Sequence, residues 1–194
     1  MRRLLIIITL VFAHKAWGGD FEDGWVAYER KDYATAVTKF RSAALKGNAD
    51  AQTVVGMMYE QGQGVARDNK EAVRWYRFPA RQGIAIAQYN LGLMYQEGEG
   101  VEQDYSEAAR LFRLAAESGH EEAQLKIASL YLIGYGVPKS SLRAYMWSYI
   151  ALEGGNKKSK NLNKIAAERM TLKKTEQAQR IARECIASNF TKCD

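Results

Sequence analysis

Gly47, Gly83, Gly119 and Gly155 stand 36 residues apart, and much of the chain around them repeats at the same interval. The period carries Ala51/Ala87/Ala123, Gly56/Gly92/Ala128, Tyr59/Tyr95/Tyr131, Gly62/Gly98/Gly134, Gly64/Gly100/Gly136, Val65/Val101/Val137 and Ala72/Ala108/Ala144. A repeat of this length predicts an array of small units, each burying its apolar face against its neighbours. It constrains architecture strongly and ligand weakly.

The clearest unit shows how it folds. Ala87, Leu91 and Tyr95 fall at i, i+4 and i+8 with Gly92 beside them, the stripe of one amphipathic helix. Glycine inside a helix costs about 1 kcal/mol relative to alanine, so Gly92 and Gly56 predict a close helix crossing. Gly98-Glu-Gly100-Val101 then breaks the helix, with Val101 as an apolar anchor for the loop. Asp104 caps a second helix, with Glu107 placed for a capping box. That helix runs from about Tyr105 to Ser118, buries Ala108, Leu111, Phe112 and Ala115, and ends at Gly119. Copies lie at 48–83, 84–119 and 120–155. Residues 19–47, with Trp25, Tyr28, Tyr33, Ala36 and Phe40, form a shorter unit lacking the glycine loop. In the first full copy Phe78-Pro79-Ala80 replaces the Ala-Ala interior of the second helix, where proline removes a backbone bond and predicts a bend, tolerated near the last turn.

The two ends of the chain differ from the array. Arg2 and Arg3 precede the apolar run Leu4 to Ala13, and Ala16 and Gly18 are small residues placed for a cut after Gly18. That order predicts a cleavable signal peptide over 1–18, hence a periplasmic or secreted protein; an uncleaved N-terminal anchor is the alternative. The segment from Asn156 carries ten Lys/Arg against four Asp/Glu, while residues 19–155 are net acidic. Lys157, Lys158, Lys160, Lys164, Lys173 and Lys174 therefore offer a weak contact for an anionic membrane surface, or simply a solvated helix face. Cys185 and Cys193 are the only cysteines, and an oxidising compartment would pair them.

With these motifs in place, the chain resembles the Sel1-like repeat family, a branch of the tetratricopeptide-like proteins. The resemblance rests on Ala-Gln-Tyr-Asn-Leu-Gly-Leu-Met-Tyr from Ala87, the Gly-x-Gly-Val loops and the Ala-Ala-x-x-Gly ending at Ala115. It covers about residues 20–155 and implies an all-α, right-handed α-solenoid of helix-turn-helix repeats. Residues 156–194 resemble the basic helical cap of small exported bacterial members, through Met170-Thr171, Gln177-Ala178 and Ala182-Arg-Glu-Cys185.

Chemistry is sparse. His120 is the one histidine after residue 18, and it aligns with Asn48, Ile84 and Asn156 at the junction between copies, a surface position rather than a catalytic base. No His/Cys/Asp/Glu cluster has zinc spacing, and the glycine loops lack the Gly-Lys-Ser/Thr of a phosphate-binding loop. Some cysteine-rich relatives are associated with penicillin binding, but no Ser-x-x-Lys occurs here. Trp75, Leu111 and Trp147 share one repeat position and read as core rather than as a stacking surface; an acidic, exported array also disfavours nucleic acid. The expectation is a non-enzymatic, cofactor-free scaffold of the cell envelope that binds a peptide or protein in the groove of its first helices. Thr53, Met57, Glu60, Tyr89, Leu93, Gln96, Leu125, Ser129 and Leu132 lie outside the repeated stripe on one face and are the candidate contacts. A cell-wall-associated enzyme, or a peptidoglycan- or β-lactam-binding protein, is the alternative.

Overall fold

The apolar stripes become helices throughout: a computed structural model describes residues 19–193 and contains ten helices and no strand among them. They are α1 (Asp20–Glu29), α2 (Tyr33–Leu45), α3 (Ala49–Gln61), α4 (Asn69–Arg81), α5 (Ala85–Glu97), α6 (Tyr105–Glu117), α7 (Glu121–Ile133), α8 (Ser141–Glu153), α9 (Ser159–Glu168) and α10 (Leu172–Ala187). The expected signal segment, 1–18, lies outside the described residues. The chain divides into two compact units, one ending at Trp75 and one beginning at Tyr76.

In the first unit α2 packs against both α1 and α3. Phe40 is fully buried among Ala36, Ala44, Val55 and Met58. Its ring lies so close to Gly24 that a Cβ there would come within 2.7 Å of it, so α1 reaches α2 only because Gly24 has no side chain. The turn Arg30–Asp32, with Lys31 at a positive φ of 61°, replaces the glycine loop absent from this shorter unit. Asp20 holds α1 to α2 by accepting from Ser42 (2.6 Å), Lys39 (3.3 Å) and Lys46 (2.5 Å), contacts that keep its carboxyl well below the usual carboxylate range.

The second unit repeats one loop design. The Asp104 N–H donates to the Tyr95 carbonyl (2.9 Å), and the Ser140 N–H to the Tyr131 carbonyl (2.8 Å). In the first unit Asp68 and Tyr59 make the same bond (3.0 Å). The repeated tyrosine thus closes each glycine loop through its backbone. Gly136 rests on the first turn of α6, where a Cβ would stand 1.9 Å from the Tyr105 carbonyl oxygen; only glycine lets the loop of one copy lie on the second helix of the copy before it. Asp104 caps α6 by accepting from the Ser106 and Glu107 N–H groups. The expected capping box is incomplete. Its return bond has no free donor, because the Asp104 N–H is engaged by Tyr95, and Glu107 instead accepts two bonds from Arg110 at 2.7 Å.

Pro79 does not interrupt α4, which runs on to Arg81. The buried proline sits in the last turn, and its carbonyl accepts from the Gln82 and Ile84 N–H groups (3.1 and 3.0 Å), so it helps to close the helix end. The predicted close crossing is present: a Cβ on Gly92 would meet the Phe112 ring at 2.7 Å. One copy later the pair becomes Ala128 and Ser148, both fully buried. There the smaller second residue makes room for a polar tie, with Asn163 of α9 donating to the Ser148 hydroxyl (3.1 Å) and the Tyr145 carbonyl (3.2 Å). Helices α9 and α10 cover α8. The Cys185–Cys193 disulfide closes the end of α10, and Phe190, inside that closed loop, lies against Gly119.

Candidate partner-binding surfaces

The nine residues of the predicted contact face have unequal exposure. In the first unit Thr53 is buried, its hydroxyl returned to the Ala49 carbonyl (2.9 Å), while Met57 and Glu60 are half-buried. In the second unit Tyr89, Leu93, Gln96, Leu125 and Ser129 are half-buried, and Leu132 is buried. Tyr89 and Leu93 pack partly on the core, and Ser129 donates to the Leu125 carbonyl. Thr53 and Leu132 are thus used mainly by the fold, and the other seven keep solvent-facing surface.

His120 has a defined structural task. It is the N-cap of α7, its Nδ1 accepting from the Ala123 N–H at 3.2 Å, and its ring stacks on Tyr89 at 4.6 Å. Burial pushes its pKa below the ordinary histidine value, with Glu122 pulling the other way. Asn48 caps α3 in the same way (2.8 Å), and Asn156 accepts from the Lys158 N–H (3.2 Å). The alignment of His120 with two asparagines, common capping residues, was the signal for this role.

A cleft of about 720 Å³ opens on another side of α5, between the end of α4 and α6. Its wall includes Arg77, Arg81, Arg110, Gln88, Tyr95 and Glu107, over an apolar floor of Leu91, Leu111 and Leu114. An adjoining hollow shares Arg77 and Tyr95 and adds Glu102 and Asp104. Gln88 and Tyr95 project roughly 100° around α5 from Tyr89 and Gln96, at about 100° per residue, so none of the nine candidates lines this cleft. Gln88 belongs to a repeated brace: its Nε2 donates to the Ala80 carbonyl, as Gln52 does to Ala44 and Gln124 to Ala116 (3.0, 3.1 and 3.3 Å). Oε1 of Gln88, and of the half-buried Gln52, has no partner among the described residues. The sequence carried a signal for the cleft in Arg81, Arg110 and Leu111, which break with Glu117, Met146 and Trp147 of the next copy.

At the C-terminal end Lys157, Lys158, Lys160, Lys164, Lys173 and Lys174 are all exposed. Among the described residues there is no group of three or more His, Cys, Asp or Glu side chains arranged to hold a metal ion. No described helix is long and apolar enough to cross a membrane.

The sequence model of the Sel1 repeat family matches residues 49–84, 85–120 and 121–156, together more than half of the chain. The protein belongs to the Sel1 repeat family. Its structure is similar to that of a Sel1 repeat protein from Oxalobacter formigenes, with 28% identity and a TM-score of 0.69 over 90% of this chain and 79% of that one. It shares its fold with c5321, a protective antigen of uropathogenic Escherichia coli strains displaying an SLR fold, at 24% identity and a TM-score of 0.61. That match covers 88% of this chain and 46% of c5321. No curated protein of described function matches the chain. The fold is accordingly an all-α solenoid of helix-turn-helix repeats, an architecture that serves generally as a scaffold for protein–protein interaction.

Proposed function

We propose that this protein is a non-enzymatic scaffold of the bacterial cell envelope, holding a peptide or protein partner on the face of its first helices. The observation that carries the reading is a division of labour along those helices. Residues that repeat are consumed by the fold: Ala51, Ala87 and Ala123 are all fully buried. Residues that vary between copies, such as Met57, Tyr89, Leu93, Gln96, Leu125 and Ser129, stay half-exposed on each unit. A surface that differs copy by copy on a constant frame can specify an extended ligand. The Cys185–Cys193 disulfide supports an oxidising compartment. The units 48–83, 84–119 and 120–155 then act as the frame, with 19–47 and 156–194 as its end caps.

The test is crosslinking in intact cells from a photoreactive residue at position 93, followed by identification of the captured protein. One partner should dominate, and Tyr89→Ala or Gln96→Ala should lower its capture several-fold without changing the melting temperature by more than a few degrees. Capture that is equal from position 93 and from exposed Lys164 would refute the assignment of this face.

A further inference from the structure

We propose that the cleft between the end of α4, α5 and α6 is a second binding site, which takes a carboxylate carried by an extended peptide. The inference rests on the scaffold reading for its peptide and on the cleft itself for the chemistry. At about 720 Å³ the cleft falls within the usual range of ligand pockets, roughly 300 to 1,000 Å³. Its charged lining is three arginines against one glutamate. Glu107 is already matched by Arg110, through two bonds at 2.7 Å. Arg77 and Arg81 are exposed and make no ion pair among the described residues, so two guanidiniums are left to receive a carboxylate, which their planar donors suit.

A second observation is independent of charge. Gln88 lines the cleft, is only 4% exposed, and spends its amide N–H on Ala80, leaving Oε1 without a donor. That Oε1 is itself closed off from solvent, so a peptide backbone N–H reaches it only when the Gln88 side chain turns toward the cleft. Half-buried Leu114, over the buried Leu91 and Leu111, supplies a small apolar surface for an intervening side chain. The next copy shows what the same place looks like when it is closed. Arg81 gives way to Glu117, which pairs with Arg113 at 3.9 Å, and exposed Arg110 and half-buried Leu114 give way to the buried Met146 and Ile150, while Leu111 and Trp147 are equally buried and differ only in size. The Tyr95 hydroxyl makes no hydrogen bond among the described residues, whereas the Tyr131 hydroxyl accepts from Arg143 at 3.3 Å. The orphaned acceptor recurs at Gln52, and it is the unpaired arginines and the smaller second-helix side chains that set this copy apart from the next.

The experiment titrates the oxidised, isotope-labelled protein with an acetylated decapeptide of alternating Glu and Ala, read by the arginine Nε–H and Gln88 amide NMR signals. Arg77, Arg81 and Gln88 should shift saturably, and Arg81→Glu should weaken binding at least tenfold, with Arg77→Ala as a second variant at an exposed position. A C-amidated peptide and a Gln-for-Glu peptide with a free carboxyl end distinguish side-chain from terminal carboxylates; binding should be lost when both are absent, and should weaken with salt. Unmoved arginine signals at millimolar peptide, equal binding of the fully uncharged peptide, or full affinity in both variants would overturn the proposal. Capture from position 93 in cells separates the two readings: if it persists while the titration fails, the cleft falls and the scaffold stands.

Discussion

The copies at 84–119 and 120–155 share a backbone plan and use the surface of their second helices in opposite ways. Around α8, Met146, Trp147 and Ile150 fill the space and α9 and α10 close over them; around α6, Arg110, Leu111 and Leu114 leave a cleft. The brace from glutamine to the preceding helix, Gln88 to Ala80 and Gln124 to Ala116, is kept in both. The loop closure by Tyr95 and Tyr131 is kept as well. Side chains at equivalent positions of the second helices can therefore differ in size and charge from copy to copy without disturbing the frame that positions them.

The largest expected effect comes from emptying the filled side. Trp147→Ala should cost about 3 to 5 kcal/mol in urea unfolding, as large aromatic truncations in a core do. Leu111→Ala, at the equivalent and equally buried position but beside the cleft and with a smaller side chain to lose, should cost less than Trp147→Ala. If the two cost the same, the contrast between open and closed copies is not energetic. The converse exchange, Arg110→Met with Leu111→Trp, should close the cleft and abolish the peptide-induced Gln88 shift.

Removing the terminal staple should be the next largest perturbation. Cys185 and Cys193 are eight residues apart, and a loop of that size contributes about 2 to 3 kcal/mol in the chain-entropy account. The loss should be local. Phe190 is carried inside the closed loop against Gly119, and α10 packs on α8, so hydrogen exchange should accelerate in α8 and α10 on reduction while α5 stays protected. Uniform acceleration through the second unit would show that the cap and the open copy unfold together.

How far the fold was legible follows from what repeats. Periodic glycines and alanines announced the helix pairs because each satisfies a backbone or packing demand recurring at every copy: Gly136 over Tyr105, Gly92 under Phe112. The shorter first unit was legible for the same reason, as a deletion against a known period. The cleft was not, because Leu111 and Trp147 are both apolar and occupy one stripe; only their difference in bulk, read with Arg81 against Glu117, separates a cavity from a core. Pro79 was legible as a residue near the last turn, but not the use the chain makes of it. Its missing N–H matters less in a last turn, where its carbonyl is what the chain uses. Glu107 misled through its spacing, since Tyr95, nine residues before Asp104, already holds the donor a capping box needs.

A smaller effect tests the exchange of residue sizes between the copies. Gly92→Ala should cost about 1 to 3 kcal/mol by overpacking on Phe112, partly offset by the better helix propensity of alanine. In a Phe112→Ser background, which reproduces the Ala128 and Ser148 pair, the same substitution should be neutral or stabilising. A double-mutant cycle measured by denaturant unfolding checks this, and additive costs would mean that the two positions do not answer one another.

The smallest effect depends on pH. His120 caps α7 through an unprotonated Nδ1, and burial lowers its pKa in the folded state. A histidine with a depressed folded pKa is stabilising in its neutral form: the contribution is fully present above the ordinary value near 6.5 and declines as pH falls through that value toward the folded one. Protonation also turns the cap from acceptor to donor, facing the Ala123 N–H. The loss should be a few tenths to about 1 kcal/mol, the usual worth of a cap. His120→Asn, which copies Asn48, should hold its stability between pH 7.5 and 5 where the parent declines. Because the ring stacks on Tyr89, fluorescence of that face should change over the same interval, while the Arg77 and Arg81 signals of the cleft, which carry no histidine beside them, should not follow it.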